Sequence, residues 1–252
     1  VDALAAQAPV WTPGEAQGYH AVTFGWLVGE VIRRIGGKSV GAFLRDEVTD
    51  PLNVDFLIGF GPEEDHRVAD MLKPVQTAST WPSSNPVAGA ADPNSIPFRA
   101  FSIAPPGHGA HVNSRQYRAA EVPAANGHGN ARALARVYGA LASGGEVDGV
   151  NLLSPGAIEL ARAEQVFEPD LVLTTRPRTR RSLGFMLPVP DQGDVRGPQA
   201  FGHAGMGGSL GYADPETHIG FGYTMNQMWS GGDDPDPRAQ GLAAAVNESL
   251  DR

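Results

Sequence analysis

The periodicity of apolar residues changes part-way along this chain, and that change limits the folds open to it. Between residues 21 and 35, Phe24, Leu27, Val28, Val31, Ile32 and Ile35 recur at i, i+3 and i+4, the stripe of an amphipathic helix. Gly36-Gly37 supplies the φ > 0 stop. Ser39 is placed to cap a second helix carrying Val40, Phe43, Leu44 and Val48, closed by Asp50-Pro51. In the last third, 182–187 and 199–203 read as strands, and 209–213 pairs with 219–225 through Asp214-Pro215-Glu216-Thr217 as a hairpin. A helix over 238–250, with Leu242, Ala245, Val246 and Leu250 as its buried face, ends the chain. Helices first, then antiparallel strands backed by a helix, predict an α+β fold. The expected organisation is one domain over 1–252, mainly helical and loop-rich over 1–165, with antiparallel strands and a C-terminal helix over 182–252.

Between these regions, from Pro62 to about Ala125, prolines interrupt every pattern, and a loop that long in a domain predicts a lid or substrate-shaping segment. Order returns at Asn130, a helix cap followed by Leu134, Val137, Tyr138 and Leu141, with Gly144-Gly145 as the stop. Ser154-Pro155 opens another helix, Ser as cap and Pro at the first helical position. With 32 Gly and 21 Pro in 252 residues, long ordered loops are expected.

Composition removes several chemistries. The chain has no cysteine, so disulfides, thiolate metal sites and cysteine nucleophiles are excluded. A net charge of −9 argues against nucleic acid as a partner. No apolar run approaches the roughly 18 residues that cross a bilayer. Absence of cysteine leaves the compartment open. Two G-x-S-x-G segments, at Ser39 and Ser209, lack the strand-turn-helix setting of a nucleophile elbow, so Ser39 reads as a cap and Ser209 as a strand or pocket-wall residue. His108-x-x-His111 has no third ligand at a recognisable spacing and reads as solvated loop. Arg176, Arg178, Arg180 and Arg181 also read as a solvated loop in an acidic chain, and 233–236 as a polar one.

Two segments point to chemistry. Gly18-Tyr19-His20-Ala21 sets a tyrosine at the mouth of the first helix, and 201–209 sets His203 beside Gly205, Gly207 and Gly208 at a strand edge. Glycines there let a ligand approach backbone N–H groups, the arrangement of an oxyanion hole. Together with Arg33-Arg34, Gly37-Lys38-Ser39, Asp50-Pro51-Leu52, Asn126-Gly127-His128-Gly129 and Tyr212-Ala213-Asp214-Pro215-Glu216, these segments resemble the serine β-lactamase-like esterases, relatives of class C β-lactamases and penicillin-binding proteins. The resemblance runs from about Tyr19 to Asn226. It implies a β-lactamase/transpeptidase-like fold, an antiparallel sheet flanked by helices plus a helical subdomain.

The resemblance also implies a serine activated by S-x-x-K and a tyrosine, with a lysine or histidine strand as the third element. Tyr19 would be the base, His203 the third element, the Met206 N–H an oxyanion donor, and Gly205, Gly207 and His20 substrate-contacting groups. Two departures favour esters over β-lactams: Ala21 stands where class C enzymes have Asn, and His203 replaces a permanently charged Lys. A third concerns the nucleophile. The only lysines, Lys38 and Lys73, follow Ile35 and Asp70 by three positions, so no S-x-x-K is present. The expectation is a C-terminal portion of a hydrolase whose S-x-x-K segment precedes Val1 and acts as its partner. The expected activity is carboxylic ester hydrolysis through an acyl-enzyme on a small-molecule ester, with no cofactor or metal. β-Lactam or D-Ala peptide hydrolysis and a non-catalytic binding relative stand as alternatives.

Overall fold

Local capping chemistry places most of the helices. The computed structural model describes residues 1–74, 92–102, 112–229 and 235–250. After a short helix α1 (Asp2–Ala6), α2 (Thr23–Gly36) ends at Gly37 in the left-handed region, φ 67°, whose N–H donates to Arg33 O at 3.0 Å. Ser39 caps α3 (Val40–Leu44) by accepting from the Ala42 N–H. Asp50-Pro51 does not close this helix: a π-helical turn (Arg45–Thr49) runs directly into α4 (Asp50–Leu52), and Asn53 at φ 51° makes the stop. Pro51 falls in the last turn of this run, where it removes one backbone donor, and the run ends two residues later at Asn53.

Strand β1 (Phe56–Ile58) pairs antiparallel with β2 (Gly127–Gly129), tying the α2–α4 helices to the segment just before Asn130. The stretch from Pro62 to Ala125, expected as a loop, contains a 3₁₀ helix (Pro62–Arg67), α5 (Ile96–Ser102) and α6 (Arg115–Ala119) among its described residues. His108 and His111 lie outside the described residues, as do 233 and 234 of the acidic loop. Asn130 and Ser154 cap α7 (Ala131–Ala142) and α8 (Pro155–Arg162), on either side of the short ladder β3 (Glu146–Val147) and β4 (Val150–Asn151).

The main sheet is built from β5 (Val166–Glu168), β6 (Thr179–Arg181), β7 (Phe201–Ala204), β8 (Leu210–Asp214) and β9 (Ile219–Tyr223); β8 and β9 form the expected hairpin, Tyr212 opposite Phe221, with Asp214 inside β8 and the turn over 215–218. Residues 182–187 do not form the expected strand. Ser182 to Phe185 reverse the chain around Gly184 at φ 97°, and Met186 alone bridges Arg181 to Gly202, joining β6 to β7.

The pleat sends alternate residues of β8 and β9 to opposite layers. Gly211, Gly220 and Gly222 face α7, and a Cβ on Gly220 would collide with Gly139 N and Ala135 O, so only glycine allows this helix so close. Ala213 joins the same layer, packing with Phe201, Leu141, Ile158 and Leu187. Leu210 and Tyr212 face the opposite way, against Ala239 and Ala243 of the terminal helix α9 (Pro237–Leu250). The α9 face in contact with the sheet is therefore the alanine face; Leu242 and Leu250 are exposed.

Candidate active site

Tyr19, between Gly18 and α2, has no regular secondary structure of its own and is held by β-sheet residues far away in sequence. The Gln17 backbone bridges Asp170 in parallel, and the Gln17 side-chain amide donates to Glu168 O at 2.6 Å and Thr179 O at 3.2 Å. The Tyr19 N–H donates to the Asp170 carboxylate at 3.1 Å. These bonds bring the phenol ring onto His203 of β7, stacked at 6.0 Å between centroids and 27° between planes. Phe101 of α5 lies 6.4 Å from the same ring.

The two residues share a cleft with Arg176, Arg178, Arg180 and Arg196, the loop Gly205–Ser209, Trp229 and Asp236. Burial holds the His203 imidazole below the ordinary histidine range; a hydrogen bond with the Ala204 backbone opposes this, and Arg181, Arg196 and Arg176 reinforce it. This favours the neutral imidazole. Burial pushes the Tyr19 phenol up, Arg181 draws it down, and Asp170 adds to the rise.

The glycine loop has a defined conformation. The Gly205 N–H donates to Ser209 O at 2.7 Å and the Gly208 N–H to Gly205 O at 3.0 Å, so neither amide is open to a ligand. Gly207 and Gly208 adopt φ of 93° and 116°, a region L side chains rarely enter, and a Cβ on Gly208 would strike the Asp236 carboxylate. Among the described residues the Met206 and Gly207 N–H groups have no intramolecular acceptor, and both residues line the cleft.

Of the residues singled out in the sequence, Tyr19, His203, Gly205, Met206 and Gly207 converge on this cleft. His20 does not: its side chain is exposed, Nδ1 sits 2.9 Å from Gly18 O, and it is absent from the cleft wall. Gly205 is corrected in one respect, since its own N–H is already engaged. Ser39 stays a cap, its hydroxyl donating to Glu121 at 2.5 Å, and Ser209 opens β8.

The arginine run is only in part a solvated loop: Arg176 and Arg178 lie before β6, with Arg178 exposed, while the rest is in the sheet. Residues 179–181 form β6; Arg178 pairs with Asp191 at 2.8 Å and lies over Phe167, Arg180 pairs with Glu164, and the partly buried Arg181 reaches Asp170. Asp236 is likewise no loop residue: it is buried, accepts from the Arg238 N–H at 2.9 Å and starts α9. Asp170 carried no local signal, because its partner Tyr19 is 151 positions away.

The sequence profile of the family described as Beta-lactamase matches residues 1–245. The chain belongs to the β-lactamase family. Within it, the chain is 37% identical over 232 residues to the Esterase/beta-lactamase LipL of Mycobacterium tuberculosis, which covers 90% of this chain and 52% of LipL. A penicillin-binding protein homolog from Caulobacter crescentus superposes with a TM-score of 0.80 at 38% identity, covering 98% of this chain and 62% of its own. A family VIII carboxylesterase gives 0.80 at 40% identity, again over 98% and 62%. EstA from Arthrobacter nitroguajacolicus Rue61a gives 0.81 at 30%, over 99% and 64%. The chain therefore spans about half the length of LipL and under two thirds of these solved β-lactamase-family structures. The α+β, β-lactamase/penicillin-binding-protein-like architecture expected from the sequence is the one these neighbours share.

Proposed function

We propose that these residues form the C-terminal part of the active site of a serine hydrolase that cleaves carboxylic esters through an acyl-enzyme. The observation that carries the reading is the stack of Tyr19 on His203 in one cleft with the open Met206 N–H. The serine and lysine of S-x-x-K come from a segment N-terminal to this chain, since the only lysines here lack the motif and the relatives are much longer.

In this reading the serine hydroxyl gives its proton to Tyr19 as its oxygen attacks the ester carbonyl, forming the C–O bond of the tetrahedral adduct. A phenol is a useful base only where positive charge favours its phenolate, and the upstream lysine would supply that beside Arg181. The Met206 N–H stabilises the oxyanion, and the proton returns to the departing alcohol as the carbonyl re-forms. A neutral His203 places a polar group at the substrate edge without a permanent charge, which suits an uncharged ester.

The test is turnover of short-chain p-nitrophenyl esters by the full-length protein. Tyr19→Phe is expected to lower kcat/KM on the order of 10²–10⁴-fold, and undiminished turnover would refute the base assignment. A fluorophosphonate probe is expected to label the full-length protein on its serine; an unlabelled, inactive protein would support a non-catalytic binding relative. Because the relative LipL is named both esterase and β-lactamase, nitrocefin is the comparison substrate. The ester is expected to be the faster of the two, and the reverse would make β-lactams the principal substrate.

A further inference from the structure

Behind Tyr19 lies a buried pair, Asp170 and Arg181, of which only the Arg181 charge enters the proposed mechanism. The Asp170 side chain has no solvent exposure, and one oxygen, Oδ1, accepts from three backbone N–H groups: Tyr19 at 3.1 Å, Val172 at 2.8 Å and Leu173 at 2.8 Å. Its other oxygen takes the Arg181 guanidinium at 2.5 Å. That guanidinium, from a side chain 18% exposed, sits 5.2 Å from the centre of the Tyr19 ring, and its Nε–H is buried without an acceptor among the described residues.

A buried ion pair is a weak source of stability, since desolvation of both charges offsets their attraction, and an unsatisfied buried donor adds a further penalty. Its placement is explained by what it does to its neighbour. We propose that Asp170 and Arg181 are positioning residues for Tyr19: the carboxylate fixes the backbone that carries the phenol, and the guanidinium holds a positive charge against the ring. The assignment rests on Tyr19 being the base.

Within this chain the two charges of the pair are the ones that act on the phenol, beside the positive charge the upstream lysine would add. Phe101 is uncharged, burial favours the neutral form of His203, and Arg176 lines the same cleft and acts on both His203 and Arg181. Arg181 favours the phenolate and Asp170 disfavours it, in opposition to each other and on top of the rise caused by burial.

The two halves of the pair therefore make opposite predictions, which mere loss of packing would not produce. Tyrosine Cζ resonances of the full-length protein are titrated by ¹³C NMR, with the Tyr19 signal assigned by its loss in Tyr19→Phe. Arg181→Met is expected to move the Tyr19 midpoint to higher pH, and Arg181→Lys to restore it most of the way. Asp170→Asn, which keeps the hydrogen-bond acceptor but drops the charge, is expected to move it to lower pH. If Arg181→Met does not fold, Asp170→Asn and Arg181→Lys decide the question alone. The acid-side limb of the kcat/KM profile for a p-nitrophenyl ester is expected to follow the midpoint in each variant. An unmoved midpoint, or shifts of the same sign in Arg181→Met and Asp170→Asn, would overturn the proposal. Full turnover by Tyr19→Phe would instead remove the base reading, while the titration still reports whether the pair controls the phenol.

Discussion

The β7–β9 sheet and helix α2 both follow a clear apolar pattern, yet they bury opposite things. In the sheet, alternate residues go to α7 and α9, and the large side chains Phe201, Leu210 and Tyr212 are buried on both faces. In α2 the apolar stripe stays outward: Phe24 is 48% exposed, Val31 54% and Ile35 84%. The buried face is the one with Gly25 and Gly29, where Pro123, Ala124 and Val40 come within van der Waals contact of the helix backbone. A strand's pleat fixes where both faces go once one neighbour is known, whereas a helical stripe says that an apolar face exists without saying what covers it.

The largest effect is expected where the sheet core is densest. Phe201→Ala removes a ring that is 1% exposed and meets Phe185 edge-on at 4.9 Å, and is expected to destabilise by about 3–5 kcal/mol in a denaturant melt. A loss under about 1 kcal/mol would remove the contrast between the two regions.

Alkaline pH probes the same region next. Burial pushes the phenols of Tyr138, on α7, and Tyr212, on β8, up to about 12. Both are neutral in the folded and unfolded chains below the unfolded value of about 10, where their stabilising contribution is fully present. As pH rises from about 10 to 12 the unfolded chain releases these protons first, so stability falls by on the order of 1 kcal/mol per pH unit for each ring. Thermal melts at pH 9 and pH 11 measure the slope, and Tyr138→Phe is expected to reduce it by one ring's share, since burial also raises the phenols of Tyr19 and Tyr117. A slope unchanged by that substitution would place the alkaline sensitivity elsewhere in the molecule.

The smallest effect belongs to α2. Ile35→Ser is expected to change the stability of the 252-residue chain by less than about 0.5 kcal/mol, since little apolar surface is taken from contact. The same change made in the full-length protein sharpens the comparison: a clearly larger loss there would show that a further segment covers this stripe.

The parts of the fold legible in the sequence are those written in neighbouring residues. Ser39, Asn130 and Ser154 each cap the helix that follows, Gly37 ends α2, and the two strands expected to form a hairpin pair, with the turn one residue later than expected. The errors arose where a local signal had a distant answer. Residues 182–187 look like a strand, but only Met186 meets both β6 and β7. Leu242 and Leu250 look like a buried face, but the sheet admits only the alanine side of α9. His20 is adjacent to Tyr19 in sequence and faces away from the cleft.

The site divides in the same way. The tyrosine segment and the histidine-glycine loop were visible because glycines and a polar residue at a strand edge leave a short-range trace. The Asp170–Arg181 pair was not, and Arg181 within its run resembled any solvated arginine. Helix caps, turns and strand alternation depend on interactions within a few residues, so the chain's order of amino acids decides them directly. Which face of α2 is covered and which charge stands behind Tyr19 depend on groups far apart in sequence, Tyr19 and Asp170 being 151 positions apart, and only the folded chain sets those distances and the burial that gives them their strength.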